Sequence, residues 1–216
     1  MKHKNTHYIY ASFAFLFFVA LGYMVKFYPE ALTEFDSSIQ TRVRGDLPAG
    51  LTYFFKTITI LGNTPVQAII AIVAVIWLYL RQYKSEAIFV ATSGVLASIM
   101  IVSLKYIYQR PRPLITHLVH ASGYSFPSGH SLGTFMILGA IAIVLAQRLA
   151  KKGSQVAVYG ITGLLIALVG LSRIYVGVHY PTDVLAGFTL AFGLLNAIYP
   201  TYDRIRFEWR FQSKQK

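Results

Sequence analysis

The sequence predicts an all-α integral membrane protein, with six transmembrane helices in a bundle. Three observations carry this. The 216 residues are 55% hydrophobic and 13% charged, and their mean hydropathy of +0.52 lies well above that of a water-soluble domain of this size. A hydrocarbon core about 30 Å thick takes roughly 20 apolar residues per helix, so this length holds about six spans with short loops and no second, soluble domain. Six apolar segments do recur along the chain at regular spacing, and 1–216 reads as a single membrane-embedded domain.

The first segment, 9–28, follows Lys2 and Lys4. It is longer than the apolar stretch of a signal peptide and no A-x-A site follows it, so it reads as an uncleaved span. Between spans one and two, Leu32, Phe35, Ile39 and Val43 recur at helical spacing after acidic residues, and Leu51, Phe54, Phe55, Ile58 and Leu61 do so again. Both predict short extracytoplasmic helices lying along the surface. For the second, 51–61, the sequence leaves two alternatives open: an extension of span two, or a lid in which Phe54, Phe55 and their neighbours cover a lateral lipid entrance. The remaining spans fall at 65–80, 87–107, 129–149, 155–175 and 182–201. Tyr8, Tyr28, Tyr79, Tyr83, Tyr106 and Tyr199 sit near predicted ends, where an amphipathic ring favours the membrane interface.

Charge orients the bundle. With the N-terminus inside, cytoplasmic ends hold Lys2, Lys4, Arg81, Lys84, Arg148, Lys151, Lys152, Arg204, Arg206, Arg210, Lys214 and Lys216, twelve of the 20 basic residues. Both termini are then cytoplasmic, and His3 and His7 belong to the cytoplasmic tail. The formal charge of +12 would suggest nucleic acid for a soluble protein; here it points to anionic headgroups and an anionic substrate, with no nucleic-acid partner. The absence of cysteine excludes a disulfide framework, a thiolate metal site and a cysteine nucleophile.

Ionisable residues at the rim of a membrane bundle are costly, and here they cluster. Lys105 and Arg112 close span three, Pro127, Ser128, Gly129 and His130 open span four, Ser172 and Arg173 close span five, and His179, Pro181 and Asp183 open span six. Alternating spans bring all four ends to one face, which is extracytoplasmic if the N-terminus is inside. Each residue alone could be a cap, a packing residue or a snorkelling cation. Together, three cations and the free N–H groups of a helix start make a tetrahedral oxyanion site. Asp183 is placed to reach back to one nitrogen of His179, leaving the other free to attack. His117 and His120, in the loop before span four, are weaker candidates for substrate contact.

At these residues the chain resembles the type 2 phosphatidic acid phosphatase family of integral membrane lipid phosphatases. Its three motifs, K-x(6)-R-P, P-S-G-H and S-R-x(5)-H-x(3)-D, stand in order as KYIYQRPRP (Lys105 to Pro113), PSGH (Pro127 to His130) and SRIYVGVHYPTD (Ser172 to Asp183). The resemblance implies that His179 takes the phosphoryl group as a phosphohistidine, that Asp183 orients it, and that His130 protonates the leaving group. It further implies that Lys105, Arg112, Arg173, Ser128 and the Gly129 backbone hold the phosphate, with no metal and no other cofactor. Family members of this size are bacterial plasma-membrane enzymes acting on undecaprenyl pyrophosphate, phosphatidylglycerophosphate, phosphatidic acid or diacylglycerol pyrophosphate. An outward-facing site favours the first of these, a carrier recycled in cell-wall synthesis. The partners implied are the lipid substrate and the bilayer, with no required protein partner. A lipid phosphotransferase is the alternative activity; a halide-oxidising relative or a transporter fits the six spans and the paired histidines less well.

Overall fold

The computed structural model describes residues 4–215; Lys2, His3 and Lys216 lie outside the described residues. Eight α-helices follow in order: α1 (Lys4–Phe27), α2 (Thr33–Arg44), α3 (Ala49–Ile58), α4 (Thr64–Leu80), α5 (Lys84–Tyr108), α6 (Gly129–Ala146), α7 (Lys152–Tyr175) and α8 (Pro181–Phe211). Helices α1, α5, α6, α7 and α8 are each long and apolar enough to span a membrane. The 17 residues of α4 rise about 26 Å and complete a sixth span only with the segment before them.

That segment corrects one expectation. Helix α3 passes into a 3₁₀ turn, Thr59–Gly62, then Asn63 turns extended (φ −66°, ψ 136°) and α4 restarts with Pro65 in its first turn, where the missing N–H costs nothing. The two parts are inclined by 52°, so 51–61 is not a straight extension of span two. Phe55 is pinned against Tyr175 with ring centroids 4.4 Å apart, and Thr52 Oγ1 lies 2.9 Å from the Tyr175 hydroxyl. Phe54 stays exposed.

Helix α2 corrects another. Its inward face is Leu32, Asp36 and Gln40, with Ile39 and Val43 half-buried, whereas Phe35 is exposed. The periodicity was right and the polarity was not, because buried partners for Asp36 and Gln40 come from distant segments. Helix α8 also outruns the expected end at 201. Its last turns carry Arg206, which donates to Gln147 Oε1 (2.6 Å), and Arg210, which donates to Glu86 Oε1 (3.2 Å). Glu86 is 1% exposed and also accepts from Arg148 Nη2 at 2.6 Å, so Arg148, Arg206 and Arg210 tie this end of the bundle together as well as supplying charge.

The core centres on α6, where Leu132, Met136, Ala140 and Val144 recur every fourth residue against Leu190, Ala191 and Leu195 of α8 and Val90 and Ala97 of α5. Without water between lipid-bathed helices, close packing of small residues draws them together. A Cβ on Gly187 would stand 2.9 Å from the Ser128 carbonyl oxygen and 3.2 Å from the Leu132 nitrogen, both backbone atoms that cannot rotate away. Gly187→Ala is therefore expected to destabilise the protein by about 1–3 kcal/mol, read as a lowered unfolding temperature in detergent.

Lys26 Nζ, near the end of α1, donates to the Ile107 carbonyl at the end of α5 (3.1 Å). At the far end His7 Nδ1 meets Asn196 Oδ1 (2.8 Å) and Gln215 Nε2 donates to Ser85 Oγ (2.8 Å). The beginning of α1 and the end of α8 thus share one face of the bundle, and the ends of α5 and α7 share the other with the starts of α6 and α8.

Candidate active site

The local sequence explains why four helix ends carry the polar groups. Helix α5 stops at Gln109, in the left-handed region (φ 50°), because Pro111 and Pro113 cannot continue it. Helix α6 starts at Gly129 behind Ser128, whose Oγ accepts from Ser131 Oγ (2.9 Å) and Ser131 N (3.4 Å) as an N-cap. The Ser128 N–H donates to the Asp183 carbonyl (3.0 Å), fixing the start of α6 to that of α8.

His179 lies in the turn before α8, 2% exposed. Its Nδ1 is 3.3 Å from Asp183 Oδ2 and its Nε2 is 3.4 Å from Arg112 Nη1. Asp183 is fully buried and also accepts from Tyr180 N at 2.9 Å, the reach-back of a capping box. Burial first, then the positive fields of Arg173, Arg112 and Lys105, hold the His179 imidazole well below its ordinary pKa. The ring is therefore neutral, with Nδ1–H donated to Asp183 and a lone pair on Nε2 facing the cations.

Arg112 is aimed by backbone carbonyls: Nη1 donates to Val178 O (2.7 Å), Nε to Gly123 O (3.0 Å) and Nη2 to Ser122 O (2.8 Å). Lys105 Nζ donates to Tyr124 O in the same loop. Arg173 is 4% exposed, with Nη1 on Thr59 Oγ1 (2.7 Å). Across the site His130 Nε2 meets Asn63 Oδ1 at 3.0 Å, and Gly62 lies so close to the His130 ring that a Cβ there would collide with it. The fields of all three cations reach both histidines. Gly129 and His130 are only partly buried, which leaves the start of α6 open on this side.

The structure thus brings Lys105, Arg112, Ser128, Gly129, His130, Arg173, His179 and Asp183 to one end of the bundle. Of the weaker candidates, His117 is bound to the Pro113 carbonyl (3.0 Å) and His120 is exposed. Sequence reading missed Arg110 and Asp36, which form a buried ion pair (2.8 Å) beside Asp183, and it missed Thr59 and Asn63, which touch Arg173 and His130. Arg110 sat unread inside the first motif. The signal for Asn63 was the proline two residues later, which marks a broken helix.

One end of the bundle thus gathers a neutral histidine braced by a carboxylate, a second histidine and three cations. The PAP2 superfamily pattern matches residues 86–207, and the chain belongs to that superfamily. It is 46% identical over 93 residues to phosphatidylglycerophosphatase B of Bacillus subtilis (strain 168), covering 43% of this chain and 45% of that protein. It is 32% identical over 126 residues to undecaprenyl-diphosphatase BcrC of the same organism, covering 56% of this chain and 60% of the relative. The matched regions thus span about half the length of these curated relatives. The crystal structure of a transmembrane PAP2 type phosphatidylglycerolphosphate phosphatase from Bacillus subtilis superposes with a TM-score of 0.83 at 28% identity, covering 90% of this chain and 96% of that one.

A neutral buried histidine also couples stability to pH. Below the unfolded pKa of about 6.5 the unfolded chain binds a proton that native His179 refuses, so acidification favours unfolding, by up to about 1.4 kcal/mol per pH unit. The unfolding temperature is expected to fall as pH drops from 7 to 5, and His179→Gln to show a shallower fall.

Proposed function

We propose that this protein hydrolyses a phosphate or pyrophosphate group from a membrane lipid through a phosphohistidine on His179, with no metal or other cofactor. The observation that carries this reading is the His179 ring, held between the Asp183 carboxylate on Nδ1 and the Arg112 guanidinium near Nε2. Nε2 attacks phosphorus as the bond to the leaving oxygen breaks, and His130, charged once the substrate's anionic oxygens offset the three cations, donates that oxygen a proton and becomes neutral. Asp183 stabilises the charge that develops on the ring. Lys105, Arg112, Arg173 and the N–H groups behind Ser128 neutralise the equatorial oxygens, the main demand of phosphoryl transfer. A water, deprotonated by His130, then attacks the phosphohistidine, releases phosphate and restores both rings.

Undecaprenyl pyrophosphate is the substrate this reading favours. The basic bias of the opposite face favours an extracytoplasmic site in a bacterial plasma membrane, with both termini cytoplasmic. The similarity to an undecaprenyl-diphosphatase agrees with it. The second reading is phosphatidylglycerophosphate, or another glycerolipid phosphate, favoured by the 46% identity to a phosphatidylglycerophosphatase. The test is phosphate release by purified protein from the two lipids side by side, with His179→Ala as blank and EDTA present throughout. Preference for the pyrophosphate supports carrier recycling, and preference for the glycerolipid supports the second reading. A strict requirement for added magnesium would overturn the metal-independent mechanism.

A further inference from the structure

A second buried constellation stands directly behind the His179–Asp183 pair, and none of the roles assigned so far uses it. Arg110, 7% exposed, points its guanidinium between two buried carboxylates: Nη1 is 2.7 Å from Asp183 Oδ1 and Nη2 is 2.8 Å from Asp36 Oδ2. Its plane covers the Tyr180 ring, with Cζ 3.9 Å from the centroid. Nη1 also donates to Thr182 Oγ1 at 2.7 Å. Asp36 comes from α2, a helix outside the six spans, yet it is 2% exposed. Its Oδ1 accepts from Thr182 N (2.9 Å) and its Oδ2 from Thr182 Oγ1 (2.8 Å).

Two physical points make this arrangement more than packing. The N–H of Thr182 is one of the free donors at the start of α8, and its cap is supplied from α2, 146 positions away. Asp36 therefore fixes the turn that carries Asp183. Asp183, in turn, is a fully buried carboxylate whose Oδ2 is shared between Tyr180 N and His179 Nδ1, while its Oδ1 is held by Arg110. A buried carboxylate without a counter-charge is unstable as an anion, and Arg110 on Oδ1 adds a second fixed point to the hold that Tyr180 N has on Oδ2.

We propose that Arg110 is a positioning residue for the reaction at His179, holding the Asp183 carboxylate ionised and aimed at Nδ1, and that Asp36 is the anchor that sets Arg110. This rests on the phosphatase reading above. Arg110 acts through Asp183 and reaches no reacting atom, so its loss appears in the chemical step and not in substrate binding. The bidentate bridge needs a planar fork; lysine supplies the charge but can replace only part of the geometry.

The experiment measures kcat and KM for phosphate release from both lipids, with wild type, Arg110→Gln, Arg110→Lys, Asp36→Asn, Asp183→Asn and the double variant Arg110→Gln/Asp183→Asn. Glu86→Gln, at the opposite end of the bundle, is the control for losing a buried ion pair. Arg110→Gln is expected to lose about 10²-fold in kcat, the scale set by a misplaced reacting group, with KM nearly unchanged. Arg110→Lys recovers part of that loss and Asp36→Asn loses less than Arg110→Gln. The double variant is no worse than Asp183→Asn alone, because both changes break one unit. The proposal is overturned if folded Arg110→Gln keeps near wild-type kcat, if the two losses multiply, or if Glu86→Gln loses as much. If Arg110→Gln fails to fold, Arg110→Lys and Asp36→Asn carry the same comparison. Release by wild type from neither lipid would overturn the phosphatase reading itself, whereas release by wild type with unaffected Arg110 variants overturns only the positioning role.

Discussion

His179→Ala abolishes phosphate release, a loss expected to reach at least about 10⁴-fold, the scale seen when a nucleophile is removed from a cooperating unit. The expectation follows from the surroundings of Nε2. It is the one ring nitrogen of His179 left with a lone pair, since Nδ1–H is committed to Asp183, and it faces Arg112. The Ser128 hydroxyl oxygen is occupied as a helix cap, accepting from Ser131 N and Ser131 Oγ. The backbone at His179 does not depend on the imidazole: its carbonyl accepts from Gln40 Nε2 (3.4 Å), and the Val178 carbonyl accepts from Arg112 Nη1 (2.7 Å). The variant should therefore elute and melt as a folded protein. Wild type quenched in turnover should carry an acid-labile phosphoryl label that the variant lacks. Substantial turnover by the folded variant, or a label that survives in it, would place the nucleophile elsewhere.

How far the sequence anticipated this site depends on the range of the interaction. Helix identities follow from local hydropathy, and the six spans appear within a few residues of their expected places, apart from the longer α8. The expected site residues lie at the ends of those spans, so alternation alone brings Lys105, His130, Arg173 and His179 to one face. Asp36 could not be read this way. Its neighbours Leu32 and Gln40 show the face it occupies, but the residue type says surface, and only Arg110 and Thr182, 74 and 146 positions away, make burial tolerable. Thr59 and Asn63 were hidden for a related reason. The segment is apolar enough to pass for a lengthened span, and its 52° break brings Thr59 to Arg173 and Asn63 to His130.

His130→Ala is expected to cost about 10²–10⁴-fold on a lipid monophosphate, the usual range for a lost general acid, and distinctly less on a lipid pyrophosphate. The difference follows from what departs. Attack on a monophosphate ester expels an alkoxide, a poor leaving group that must be protonated as the bond breaks. Attack on the terminal phosphorus of a pyrophosphate expels a lipid phosphate, which leaves readily as an anion and is stabilised by the same cations that hold the transferred group. Asn63 Oδ1, 3.0 Å from His130 Nε2, holds the ring in place from one nitrogen. Asn63→Ala should therefore follow the same ordering with smaller losses. The second half of the reaction, attack of water on phosphohistidine, is common to both substrates, so a base role alone would depress both rates equally. Single-turnover release of the leaving lipid, followed beside release of phosphate, separates the two steps. Equal losses in the first step on both lipids would mean that His130 holds the phosphate and does not supply the proton.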